Sequence, residues 1–182
     1  VTDVDGIAFV DYTASQSSGV TDVINVTFGA ATPLVISLNV INDNVSYYAF
    51  SPSTDTTLTA GDSRAYTVTS YDQYDNAVIS GDSVLFTATS ASALFTEDTL
   101  AFSGISAQTS VSDTVRGSFT VSARRFSGGA LDGTVSGTSG LNSVVPAAES
   151  RLTVISDTSA IIAGSVRRVQ VLLQDQYGND IS

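Results

Sequence analysis

Asp72-Gln73-Tyr74-Asp75-Asn76 and Asp175-Gln176-Tyr177-Gly178-Asn179 are two versions of one short stretch. Each closes an alternating apolar run, and each follows an Ala-Gly pair, Ala60-Gly61 and Ala163-Gly164. The step between copies is 103 residues for the Asp and for the Ala alike, so one register holds across the whole block. A period of about 100 residues is the size of one β-sandwich domain. The chain is therefore expected to be all-β and built from tandem sandwiches.

Composition agrees with that reading. Hydrophobic residues make up 42% of the 182, enough for packed cores despite the many Ser and Thr. They come in short β-branched bursts with no sustained helical period and no 18-residue apolar run, so no transmembrane helix is expected. The chain opens at Val1 with neither a basic n-region nor an apolar h-region, the start expected of a processed chain or a piece of a longer one. Cys, His, Lys, Met and Trp are all absent, and the net charge is −11. Such an acidic chain has no basic stripe to displace counterions from nucleic acid, and it is repelled by anionic membrane surfaces. Acidity without Lys suits an extracellular protein that must stay soluble. Without Cys each sandwich must be held by its core alone, which is feasible at about 100 residues.

Along the chain, three blocks are expected. Residues 1–45 form the C-terminal half of a domain: a turn at Asp3-Val4-Asp5-Gly6, then strands over 7–14, 23–28 and 33–41, with Asn42-Asp43-Asn44 as a joint. Residues 46–148 form a complete domain. Its strands are expected at 47–51, 64–71 (Tyr66 and Val68 on one face), 84–88 (Val84 and Phe86 inward), 117–123 (Phe119, Val121 and Ala123 inward) and 133–136. Gly128-Gly129 marks a hairpin, the stretch holding Leu94, Leu100 and Phe102 has no clear register, and Pro146-Ala147-Ala148-Glu149 is the next joint. Residues 149–182 restart the period as the N-terminal half of a further domain, with Leu152 and Val154 in one strand and Val169, Val171 and Leu173 on one face of another. Half a sandwich exposes an apolar face and open edges. The 182 residues are thus expected to be a window on a longer chain. The rival is a subunit whose ends complete each other by strand exchange, but the outer blocks, 45 and 34 residues long, fall short of the 103-residue period, lacking the part that corresponds to about residues 80–110.

The stretch from Ala163 to Asn179, and Asp3-Val4-Asp5-Gly6-Ile7-Ala8 running on through Val10 and Tyr12-Thr13-Ala14, resemble the bacterial immunoglobulin-like repeats of the invasin and intimin type. In the central block Asp75 stands where that pattern has Gly, and Val115-Arg116-Gly117 is read as a looser form of the second signature. The resemblance implies immunoglobulin-like sandwiches of about seven strands in long cell-surface adhesins, stalks and fibres. It also implies that the turn residues are structural and that any glycan or host protein is bound by a distal domain.

Candidate sites are few. Without His or Cys there is no catalytic Ser-His-Asp or Cys-His set and no zinc site, and almost every Asp sits in a turn, so no enzyme activity is expected. Calcium is the one metal whose chemistry the residues allow, with Asn42, Asp43 and Asn44 as candidate ligands that would stiffen a joint. No other cofactor is expected. Asp72 and Asp175 are expected to accept backbone N–H groups two or three residues ahead, Asn76 and Asn179 to bond the neighbouring loop, and Tyr74 and Tyr177 to pack at the sandwich end. The expected partners are the neighbouring immunoglobulin-like domains. A glycan- or protein-binding module is the alternative, with Tyr47, Tyr48 and Phe50 as its aromatic cluster.

Overall fold

The computed structural model describes residues 5, 8–27, 29–155 and 159–181. The turn expected at residues 3–6 lies outside them except for Asp5, as do Ile7, Phe28 and Ser182. Among the described residues all regular structure is strand. β1 (Thr21–Val26) and β2 (Leu34–Asn39) precede the central block. It holds β3 (Tyr47–Ser51), β4 (Thr56–Thr59), β5 (Ser63–Tyr71), β6 (Ser83–Ala88), β7 (Leu94–Phe95), β8 (Thr99–Ala101), β9 (Ser106–Ser112), β10 (Gly117–Phe119), β11 (Val121–Ser127), β12 (Ala130–Thr138) and β13 (Asn142–Val145). β14 (Glu149–Ile155) and β15 (Gln170–Asp175) follow.

The central block is a sandwich. One layer runs β3-β5-β9-β7, the other β12-β11-β6-β8, and β10-β13-β4 forms a smaller sheet. Strict alternation makes the layers: along β5, Arg64, Tyr66, Val68 and Ser70 are buried while Ala65 faces water and Thr67 and Thr69 are half-buried. Val84 and Phe86 of β6, Val121 and Ala123 of β11 and Phe119 of β10 meet them from the other side. The Phe50 ring lies edge-on to Tyr66 at 5.4 Å and to Phe86 at 6.4 Å. Each Val or Phe side chain among them contributes about 1.5–3 kcal/mol on burial.

The seven strands implied by the resemblance are present as shorter segments, because four of them break and change partner: β3 with β4, β7 with β8, β10 with β11, and β12 with β13. The expected strand at 117–123 breaks at Thr120. There the Thr120 N–H bonds Thr89 Oγ1 at 3.0 Å and its carbonyl accepts the Thr89 N–H at 3.1 Å. Gly128 and Gly129, at φ 60° and 83°, close the β11–β12 hairpin with the paired positive φ of a type I′ turn. Three segments carry little apolar signal and went unread in the sequence. β9 buries only Ala107, Thr109 and Val111, β13 turns Asn142 and Val144 inward, and β4 contributes Leu58. β4 and β13 pair in parallel, Thr56 opposite Asn142 and Thr59 opposite Val145.

Tyr47 and Tyr48 diverge. Tyr47 stacks on Tyr71 at 5.4 Å and donates its hydroxyl to Asp75 at 2.6 Å. That bond to a carboxylate pushes its phenol up to about 12. Tyr48 is in the core, and burial followed by the charge of Asp82 raises it to about 12 as well. In both cases folding favours the neutral phenol, so their stabilisation is complete below pH 10 and lost as pH rises toward 12. Alkaline titration followed by phenolate absorbance should show these two ionising late, together with unfolding; Tyr47→Phe should remove one of the late phenols.

Two expectations about the outer blocks change. Residues 8–14 form no strand, and Phe9 and Val10 are exposed. The joint contacts described below place Gln16 and Ser18 where Thr114 and Arg116 stand one repeat later, a step of 98. Residues 8–14 are therefore the counterpart of β9, which in the central sandwich is held between β5 and β7. The second signature at Gly6-Ile7 thus corresponds to Gly104-Ile105, not to Val115-Arg116-Gly117, and the strand at 117–123 corresponds to β1 rather than to the stretch after Gly6. β1–β2 and β14–β15 are hairpins occupying the places of β11–β12 and β3–β5, so the part without a counterpart in the outer blocks narrows to about residues 80–98.

Candidate functional site: the repeated joint between sandwiches

The two Asp-Gln-Tyr turns lie at the two ends of the central sandwich, Asp72–Asn76 against the block that carries β1 and β2, and Asp175–Asn179 at the end of β15 against the central sandwich. Asp72 and Asp175 are fully buried. Oδ1 of Asp72 accepts the N–H groups of Tyr74 and Asn76, both at 2.9 Å, two and four residues ahead. Oδ1 of Asp175 accepts those of Tyr177 and Asn179 at the same distance. The backbone closes each loop, Asp72 N–H to Asn76 O and Asp175 N–H to Asn179 O, both at 3.0 Å. The fourth residue must then be left-handed. Gly178 takes φ 91°, and Asp75 takes φ 66°, the conformation Asp tolerates at modest cost.

The other carboxylate oxygen faces the linker. Asp72 Oδ2 accepts the Asp43 N–H at 3.1 Å, and Asp175 Oδ2 accepts the Ala147 N–H at 2.9 Å. The Asn side chains reach the preceding block. Asn76 accepts the Ser18 N–H at 2.9 Å and donates to Gln16 O at 2.8 Å. Asn179 accepts the Arg116 N–H and donates to Thr114 O, both at 2.8 Å. Each Asn also donates to its own Asp, at 3.0 and 2.8 Å. One motif therefore ties together the turn, the linker and the preceding block, and the same Asp and Asn bonds recur at both joints. The atoms that the Asn side chains meet are backbone atoms, so Gln16, Ser18 and Thr114 carried no side-chain signature by which the sequence could have revealed them; Arg116 adds a side-chain bond from Nη1 to Asp180 O at 3.2 Å.

Burial alone would raise these carboxyls. The Asn side chains and the N–H groups aimed at them outweigh it, and both Asp72 and Asp175 are held down at about 2. Tyr74 and Tyr177 are nearly half exposed, and Tyr177 lies across Gly61 of the preceding Ala-Gly turn.

The residues considered for calcium take part in the first joint. Asn42 Nδ2 donates to Ala77 O at 2.5 Å. Asp43 accepts Gln73 Nε2 at 2.8 Å and the Asn44 N–H at 2.7 Å. Among the described residues no three His, Cys, Asp or Glu come together as a metal-binding group. Tyr48 and Phe50 of the aromatic cluster point into the core rather than to a loop surface.

No protein-family model matches the chain, and no curated protein matches it. Solved structures do. InvD of Yersinia pseudotuberculosis is 15% identical, with 100% of this chain and 65% of that one covered and a TM-score of 0.50. The Escherichia coli adhesin FdeC is 18% identical over 79% of this chain and 46% of its own, TM-score 0.47. Domains 4 and 5 of the S-layer protein SbsC are 15% identical over 63% and 59%, TM-score 0.44. The chain spans less than two thirds of each of these structures. At such identities the likeness is one of fold, and the chain has the immunoglobulin-like β-sandwich fold that it shares with InvD.

Proposed function

We propose that the chain is a structural spacer of a cell-surface adhesin or extracellular fibre, with residues 46–148 as one complete repeat between partial repeats at 1–45 and 149–182. Its work is mechanical and non-enzymatic. Stiff sandwiches in series hold a distal part away from the cell, and their partners are the neighbouring immunoglobulin-like domains. The observation that carries this reading is the joint. The same hydrogen bonds recur at Asp72–Asn76 and at Asp175–Asn179, each fixing both the linker and the previous sandwich. A flexible string would need no buried carboxylate at each linker. Acidity also keeps parallel copies from sticking to one another.

Small-angle scattering on the full chain tests it. The wild type should scatter as a stiff rod, and the Asp72→Ala, Asp175→Ala double variant should lose the rod regime while its sandwich circular dichroism persists. Free-jointed scattering by the wild type would refute the spacer reading. Saturable binding of a glycan by the isolated chain would favour a recognition module instead.

A further inference from the structure

The Ala-Gly pairs also form part of the joint. Gly61 has φ +90°, and a Cβ placed on it would lie 2.8 Å from Tyr177 Cζ and 3.0 Å from Cε2, with the Tyr177 hydroxyl closer still. The ring therefore rests directly on the glycine backbone, and no side chain fits between them. Gly61 is itself fastened to the loop that Asn179 grips: its N–H bonds Asp113 O at 2.9 Å, and the next residue, Thr114, accepts Asn179 Nδ2. Tyr177 and Asn179, two residues apart, thus touch two adjoining parts of the previous sandwich. The ring stays nearly half exposed, so the contact supplies position more than burial. One period later Ala163-Gly164 repeats the turn, with Gly164 at φ +83° and open space where its Cβ would be.

We propose that the Ala-Gly turn of each repeat is a seat for the tyrosine of the next repeat's Asp-x-Tyr-x-Asn turn, and that Ala163-Gly164 is the docking surface for such a turn on a following repeat. Continuity with the Gly61–Tyr177 contact identifies the occupant: the same turn, the same left-handed glycine and the same 103-residue step. The pairing deepens the spacer reading and rests on it for its purpose. It makes the angle between repeats a property of a glycine in one and a tyrosine in the next.

The test is a double-mutant cycle in the full chain, read by amide hydrogen exchange at Arg116, whose N–H is held by Asn179. Gly61→Ala should speed that exchange by about tenfold or more. In a Tyr177→Ala background the same substitution should add little, because the side chain it collides with is gone. Gly61→Ala effects that are equal in both backgrounds would reduce Gly61 to its backbone conformation and overturn the proposal, as would no effect in either. The docking surface is tested by appending a second copy of residues 80–182 after Ser182, which continues the period. Gly164→Ala should then speed exchange at the appended copy of Arg116, and no change there would refute the seat at Gly164. These outcomes are separate from the scattering test, since a clasped, stiff joint could persist without a tyrosine seat.

Discussion

Asn142→Leu is expected to destabilise the central sandwich by about 3–5 kcal/mol, a large share of the roughly 5–15 kcal/mol that holds a domain folded. The substitution keeps the branched shape but puts bulkier methyl groups in place of the carboxamide oxygen and nitrogen. That oxygen, Asn142 Oδ1, accepts Arg64 Nη1 at 3.0 Å and the Tyr66 hydroxyl at 2.8 Å in a fully buried position. Arg64 has only Thr54 O, at 2.8 Å, and the Tyr66 ring, 5.0 Å from its guanidinium carbon, to fall back on. A buried cation and a buried hydroxyl would both lose their acceptor, and a leucine cannot replace it. Asn142→Asp supplies the missing oxygens and a countercharge. It gives up only the long bonds from Nδ2 to Phe119 O and Gly140 O, at 3.4 and 3.5 Å. Urea unfolding should therefore order the three proteins as wild type, then Asn142→Asp close behind, then Asn142→Leu far below. An Asn142→Leu variant as stable as wild type would mean the network contributes nothing.

The second large effect concerns the joints. Asp72→Ala removes the acceptor for the N–H groups of Asp43, Tyr74 and Asn76 at once, and should lower the melting temperature of the central sandwich by about 5–10 °C. The pH dependence has a definite sign. Folding holds these carboxyls at about 2 against an ordinary 3.8, so the unfolded chain binds more protons between those values and stability rises with pH there. The contribution is complete above about pH 4 and disappears as pH falls through 2. Acid denaturation of the wild type should show this loss, and Asp72→Asn with Asp175→Asn should flatten it while starting lower at neutral pH. A double Asn variant with an unchanged acid profile would place the acid-sensitive groups elsewhere.

Much of this architecture was legible because β-sandwich cores write themselves in alternation. Tyr66, Val68, Val84, Phe86, Phe119 and Val121 were readable as inward-facing, and all are buried. The reading failed where the inward positions are polar or small. β9 presents Ala107, Thr109 and Val111, and its omission shifted the alignment of the first block by one whole strand. Asn142 was missed for the same reason, since an asparagine at a core position is informative only once its two donors, 78 and 76 residues away in the chain, are brought to it. The joint was half legible. The repeated Asp, Tyr and Asn marked the place, whereas their backbone partners and the glycine beneath Tyr177 become visible only in the folded chain.

The parallel pairing of β4 with β13 has a mechanical consequence. These segments lie near the start and the end of the central repeat, so tension along a string of sandwiches pulls them in opposite directions, along the strand axis. The bonds between residues 56–59 and 142–145 are then loaded together, in shear, instead of opening one at a time as at the mouth of a hairpin. The repeat is in this sense bolted across its ends, and it should yield abruptly and at high force rather than fray.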